Sequence, residues 1–163
     1  MKRHASLHPL SQHHHFALIQ ALEMKRAVEA APEKRVEAIA RSAKKFVIFW
    51  HAAGSEHFRE EEDVLLPAYA RHTRLDQDAD VMRLLADHAE IRAAVCDFEQ
   101  RFAAGRAIDV EAVTHLAKLL RDHVRMEENE VFPRIERTLG EEGLNAMGAR
   151  LTRLHKQREV CDI

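Results

Sequence analysis

Four long stretches of this chain carry a helical spacing of apolar residues, and that constrains its fold more than any other feature. Ile91, Val95, Phe98 and Phe102 recur at three- and four-residue intervals, and Leu116, Leu119, Leu120, Val131 and Ile135 also follow a helical repeat. Such a stripe is what an amphipathic helix buries. Only 5 Gly and 4 Pro punctuate 163 residues, too few for the turns of a strand-rich chain. The pattern predicts a first helix from about Gln12 to Ala30 with Ser11 as N-cap. A second runs from Pro32 to about His72, with Gly54 inside it and a bend at Pro67. A third covers about Ala79 to Ala104 and stops at Gly105, and a fourth, capped by Asp109, reaches about Leu139 with a bend near Pro133. Gly140 and Gly143 precede a last helix over about 144–160. Short connections favour antiparallel neighbours. The expected fold is therefore all-α: an up-down antiparallel four-helix bundle over about 10–139 with a short C-terminal fifth helix, in a single domain spanning 1–163.

Two phrases stand out against this background. EHFREEEDVLLP occupies 56–67, and DHVRMEENEVFP echoes it at 122–133. In each, a histidine precedes a glutamate by four residues, a second glutamate follows, and a proline closes the phrase. Residues four apart share a helix face, so His57 projects with Glu61 and His123 with Glu127. Both pairs continue apolar stripes that face the core. A lone carboxylate there would be costly to bury, whereas two carboxylates beside imidazoles are what a buried metal centre needs. Two single histidines complete the set. His88 is followed by Ile91 and Val95, and His15 by Leu18 and Leu22, at the same intervals. An acidic residue also precedes His57, His88 and His123, and for His15 the preceding place is held by His14, its main competitor. The expected metal ligands are His15, His57, Glu61, His88, His123 and Glu127. Glu60, Glu62 and Glu128 are expected on the solvated side, with Glu60 able to swing toward a metal, and His13 is expected at the surface.

Four histidines and two carboxylates suit two ions. If both glutamates bridge, the protein fills about 8 of roughly 12 octahedral positions, and nitrogen and oxygen ligands with open places favour iron, with manganese or zinc as substitutes. Glutamate-first Glu-x-x-His pairs, the ferritin-type order, are not the pattern here.

The stretches LSQHHHFAL, HFREEEDVLLP, DHAEIRAAV and HVRMEENEVFP resemble those of hemerythrin-like proteins of the HHE cation-binding group. The resemblance implies a non-haem di-iron centre, oxo- or hydroxo-bridged, inside a four-helix bundle. Oxygen-carrying hemerythrins place two histidines one turn apart on the third helix, but here Leu84 and Arg92 flank His88. The chain is more similar to the symmetric bacterial branch, which includes iron–sulfur repair and stress-response proteins.

The expected function is binding or sensing of dioxygen or nitric oxide, or iron handling. Two alternatives are a di-iron oxidoreductase that consumes peroxide or nitric oxide, and a helical interaction module with a structural metal. A metal- and gas-binding role is preferred to a dedicated enzyme, because no further base, nucleophile or cofactor motif accompanies the site. Lys and Arg number 25 against 27 Asp and Glu, a net charge of −2, which gives no electrostatic case for nucleic acid or an anionic membrane. Without an apolar run of membrane length or a signal segment, the expected location is the cytoplasm.

Overall fold

The computed structural model describes the backbone of residues 3–161 and the side chains of residues 3–154. It is all-helical, with no strand among the described residues. Helix α1 spans His8–Val28 and α2 spans Pro32–Phe49. The second long element continues through a π-helical turn at Trp50–Gly54, α3 (Ser55–Glu60), another π-helical turn at Glu61–Leu65, and α4 (Leu66–Tyr69). Then come α5 (Ala79–Ala103) and α6 (Val110–Met126). A third π-helical turn at Glu127–Val131 leads into α7 (Phe132–Cys161). Helix α1 packs against α2 and α6, and α5 packs against the same two, so the four long elements surround one core.

The breaks follow local chemistry. Helix α1 starts four residues earlier than the spacing predicts, since Pro9 suits its first turn, and Ser11 lies inside the helix rather than capping it. Asp78 caps α5 by accepting from the amides of Asp80 and Val81. Asp109 stands at the α6 N-cap, but its carboxylate pairs with Arg101 at 2.7 Å instead of capping. Gly105, at φ 63°, ends α5, and Gly140, at φ 62°, kinks α7, conformations open to glycine at little cost.

Pro67 and Pro133 each follow a π-helical turn. Proline offers no amide hydrogen, and its ring crowds the carbonyl four residues back. The wider turn accommodates both defects: Leu66 N–H donates to Glu61 O, and Phe132 N–H to Glu127 O, five residues back.

Two apolar clusters fill the interior. One gathers Leu7, Leu10, Leu65, Leu84, Phe132 and Ile135. The other gathers Met24, Phe46, Ile91, Phe98, Leu116 and Leu120. Full burial of each large side chain, such as Phe46 or Phe98, contributes about 1.5–3 kcal/mol. Along α1, α5 and α6 a polar layer separates the clusters, at His14, His88 and His123.

Candidate metal centre

That layer is almost closed to solvent. His14, His57, Glu61, His88, His123 and Glu127 are each no more than 5% exposed. Their ligand atoms form two overlapping groups: His14, His57, Glu61 and Glu127 in one, and Glu61, His88, His123 and Glu127 in the other. Within each group the ligand atoms lie within 4.8 Å of one another, and both carboxylates belong to both groups. The Glu61 carboxylate spans the centre, with Oε1 3.4 Å from His57 Nε2 and Oε2 3.2 Å from His88 Nε2. Glu127 Oε2 is 2.8 Å from His14 Nε2 and 3.3 Å from His123 Nε2.

On the first helix the buried groups contain His14 rather than the expected His15. His15 is exposed and stands apart from both groups, while His14 is 2% exposed and belongs to one. Of the two leucines that favoured His15, Leu18 is only partly buried and Leu22 is 46% exposed, on the side of α1 where Phe16 and Ile19 are also exposed. The inner stripe is Leu10, His14, Ala21 and Met24, where small alanine lets α1 approach its neighbours.

The second glutamate of each phrase also departs from expectation. Glu62 and Glu128 are partly buried and hold the single histidines. His88 Nδ1 lies 2.7 Å from Glu62 Oε1, and His14 Nδ1 lies 2.7 Å from Glu128 Oε1. Arg92 grips Glu62 through two 2.9 Å hydrogen bonds, and Arg3 donates to Glu128 at 2.7 Å. Each arginine also lies over a phenylalanine ring stacked on the same histidine, Phe58 on His88 and Phe132 on His14. A carboxylate on Nδ1 fixes the tautomer and turns Nε2 toward the centre. His123 Nδ1 faces Asp87 Oδ2 at 3.4 Å. Glu60, expected in solvent, is 1% exposed and faces His13 Nδ1 at 3.6 Å; His13 is only partly exposed. Sequence reading missed these carboxylates because a run of glutamates resembles a solvated face. The available signal was that the same two adjacent glutamates occur in both phrases.

The charge pattern is that of a ligand cage. Burial alone would push the His14 imidazolium down, but Glu127 and Glu128 raise its pKa to about 9. Burial and the His123 charge lower His88 to about 4, and burial and His14 hold His57 well below its usual value. Of the two inner carboxylates, burial and the Glu127 charge push Glu61 up. Burial opposes ionisation of Glu127 as well, yet His123 and His14 bring it well below the ordinary range.

The donor set fits a metal. Nε2 of His57, His88 and His123 and both Glu61 oxygens are buried without a hydrogen-bond partner. Orphan polar atoms of this kind cost about 1–3 kcal/mol each unless something binds them. Beside the cage lies an apolar cavity of about 20 Å³, lined among others by His14, Ala17, Trp50, His57, Leu120 and His123.

A helical bundle around a closed histidine–carboxylate cage defines a cation-binding protein. The chain belongs to the hemerythrin HHE cation-binding domain family, whose model matches residues 7–135. Comparison with curated proteins and with solved structures gave no match. Among the described residues, no helix is long and apolar enough to cross a membrane.

Proposed function

We propose that this protein holds two iron ions, bridged by Glu61 and Glu127, and uses them to bind or sense dioxygen or nitric oxide. The observation that carries the reading is the pair of ligand groups that share both carboxylates. One ion would take His14 and His57, the other His88 and His123. Six protein ligands leave open positions on octahedral ions, which favours iron over a closed structural zinc site. Iron there would supply a redox-active centre with places for a diatomic ligand. The chain's own contribution is to orient the imidazoles through Glu62 and Glu128, to supply bridging carboxylates and to exclude bulk water. The apolar cavity beside His57 and His123 supports a small uncharged ligand: about 20 Å³ accommodates roughly one water-sized molecule.

The same reading takes residues 1–163 as one domain with its long helices running alternately up and down, and places the protein in the cytoplasm. Metal analysis of protein grown with iron, with visible spectra before and after dioxygen or nitric oxide, tests the function. The expected result is about two irons per chain, as the two groups of ligands imply, and a spectral change with at least one gas. Less than one iron per chain after anaerobic reconstitution would refute the centre. Bound iron with no spectral response would leave only a structural metal, and sustained turnover of peroxide or nitric oxide would identify an oxidoreductase.

A further inference from the structure

The two halves of the centre match except at one corner. Asp87 precedes His88 and faces His123 Nδ1 at 3.4 Å. The matching place before His14 is held by His13, whose ring meets His57 edge-on at a centroid distance of 5.4 Å. The residue before Glu127 is Met126, but the residue before Glu61 is Glu60, a buried carboxylate. An acid present on α5 in one half has therefore been exchanged in the other for an imidazole on α1 and an acid on α3. His13 Nδ1 and Glu60 Oε2 face each other at 3.6 Å, and with His57 they form a third group of ligand atoms within 4.8 Å. His57 turns Nε2 toward Glu61. Its Nδ1 is left buried without a hydrogen-bond partner, whereas Nδ1 of His14 and His88 each have a carboxylate.

We propose that His13, Glu60 and His57 form a third cation subsite, for a divalent transition-metal ion, alongside the two-ion centre. The proposal rests on the reading of that centre only in that His57 belongs to both. His13 Nδ1 and Glu60 Oε2 are the primary ligands, an imidazole–carboxylate pair of the kind such ions select. The His13 side chain is 27% exposed, so water can reach the ion and complete its shell. With Nε2 turned toward the centre, His57 would offer its Nδ1 to the subsite.

Anaerobic titration of the full chain with Zn²⁺, in competition with a chromophoric chelator, counts the sites. The wild type is expected to take three equivalents, and His13→Ala and the near-isosteric Glu60→Gln two each. Anomalous maps from Zn²⁺-soaked wild-type crystals should place the third ion within bonding distance of His13 and Glu60, whether or not the variants fold. Two equivalents in the wild type overturn the subsite and leave the centre standing. Three equivalents retained in both variants also overturn it, putting the extra ion on surface histidines. A single wild-type equivalent, lost in Glu60→Gln, upholds the subsite and refutes the centre, and no binding at all refutes both.

Discussion

The two outer carboxylates give the sharpest test of how the cage works. Glu128 accepts from His14 Nδ1 at 2.7 Å and is tied down by Arg3, also at 2.7 Å. Burial opposes its ionisation, but His14, Ser11 and Arg3 beside it lower its pKa to about 2, so it is charged at neutral pH. Glu128→Gln keeps an oxygen that can accept from Nδ1 but loses the charge, and charge-assisted bonds are about twice as strong as neutral ones. Glu128→Ala leaves Nδ1 with nothing to donate to and frees the ring to turn. Loss of such an outer partner lowers metal affinity by about 10–100-fold, or roughly 1.4–3 kcal/mol. Glutamine should lie near the lower end and alanine near the upper. Glu62→Gln and Glu62→Ala should behave alike at His88, while Glu130→Gln, at an exposed position of the same π-helical turn, should change nothing. Competition of Fe²⁺ or Zn²⁺ against a chromophoric chelator measures all five variants. If Glu128→Ala and Glu62→Ala stay folded and bind within about threefold of wild type, far short of the expected loss, these carboxylates are surface ion pairs and the account of tautomer control is wrong.

Four further outcomes are expected. His14→Ala should strip most of the iron while His15→Ala leaves it in place, as metal analysis would show; the reverse would restore His15 as the ligand. At pH 7 metal uptake should release at least about one proton per chain, from His14, because ligands must shed their protons to bind. Pipette-titrated proton release would refute this if it were near zero. Ala17→Leu fills the cavity beside His57 at an overpacking cost of about 1–3 kcal/mol and should slow gas binding in stopped flow without changing iron content. The metal-free protein should lose stability as the pH rises above 6.5. The raised pKa of His14 contributes stability that is present below 6.5 and lost toward 9, about 3 kcal/mol. Below 6.5, His57 and His88 resist protons that the unfolded chain accepts, while the raised pKa of Glu61 acts in the opposite direction. Thermal unfolding that grows more stable from pH 6.5 to 9 would refute this balance.

The long helices and the inward placement of five of the six inner residues were legible because each left a periodic or repeated trace. His57 with Glu61 and His123 with Glu127 identify each other by repetition, and His88 sits on an unambiguous stripe. Helix α1 defeats the same reasoning because apolar residues occur on two of its faces. Phe16, Ile19 and Leu22 point outward, and between Leu10 and Met24 the buried residues of the packed face are His14 and Ala21, which a search for large apolar residues passes over. Glu62 and Glu128 were illegible for another reason. Their roles depend on partners 26 and 114 residues away, and no local spacing encodes a pairing across the bundle. Pro67 and Pro133 did announce an irregular turn, but not that it would take π-helical form directly after the inner glutamate.

The placement of that turn links the proline to the site. Residues Glu61 and Glu127 begin their π-helical turns, so the carbonyl of each accepts from five residues ahead while its side chain reaches into the cage. The next residue, Glu62 or Glu128, must reach a histidine on a different helix, α5 or α1. Two adjacent side chains on a helix diverge by about 100°, so one phrase can serve the centre directly and grip a neighbouring helix at once. That division gives each half of the chain a hold on the single histidine beyond its own phrase: α3 and its turn hold His88, and the turn after α6 holds His14. Each phrase thus contributes a bridging carboxylate and the orientation of a ligand it does not carry. A defect in either phrase should therefore disturb both ion positions, whereas a change at His14 or His88 alone should fall mainly on one.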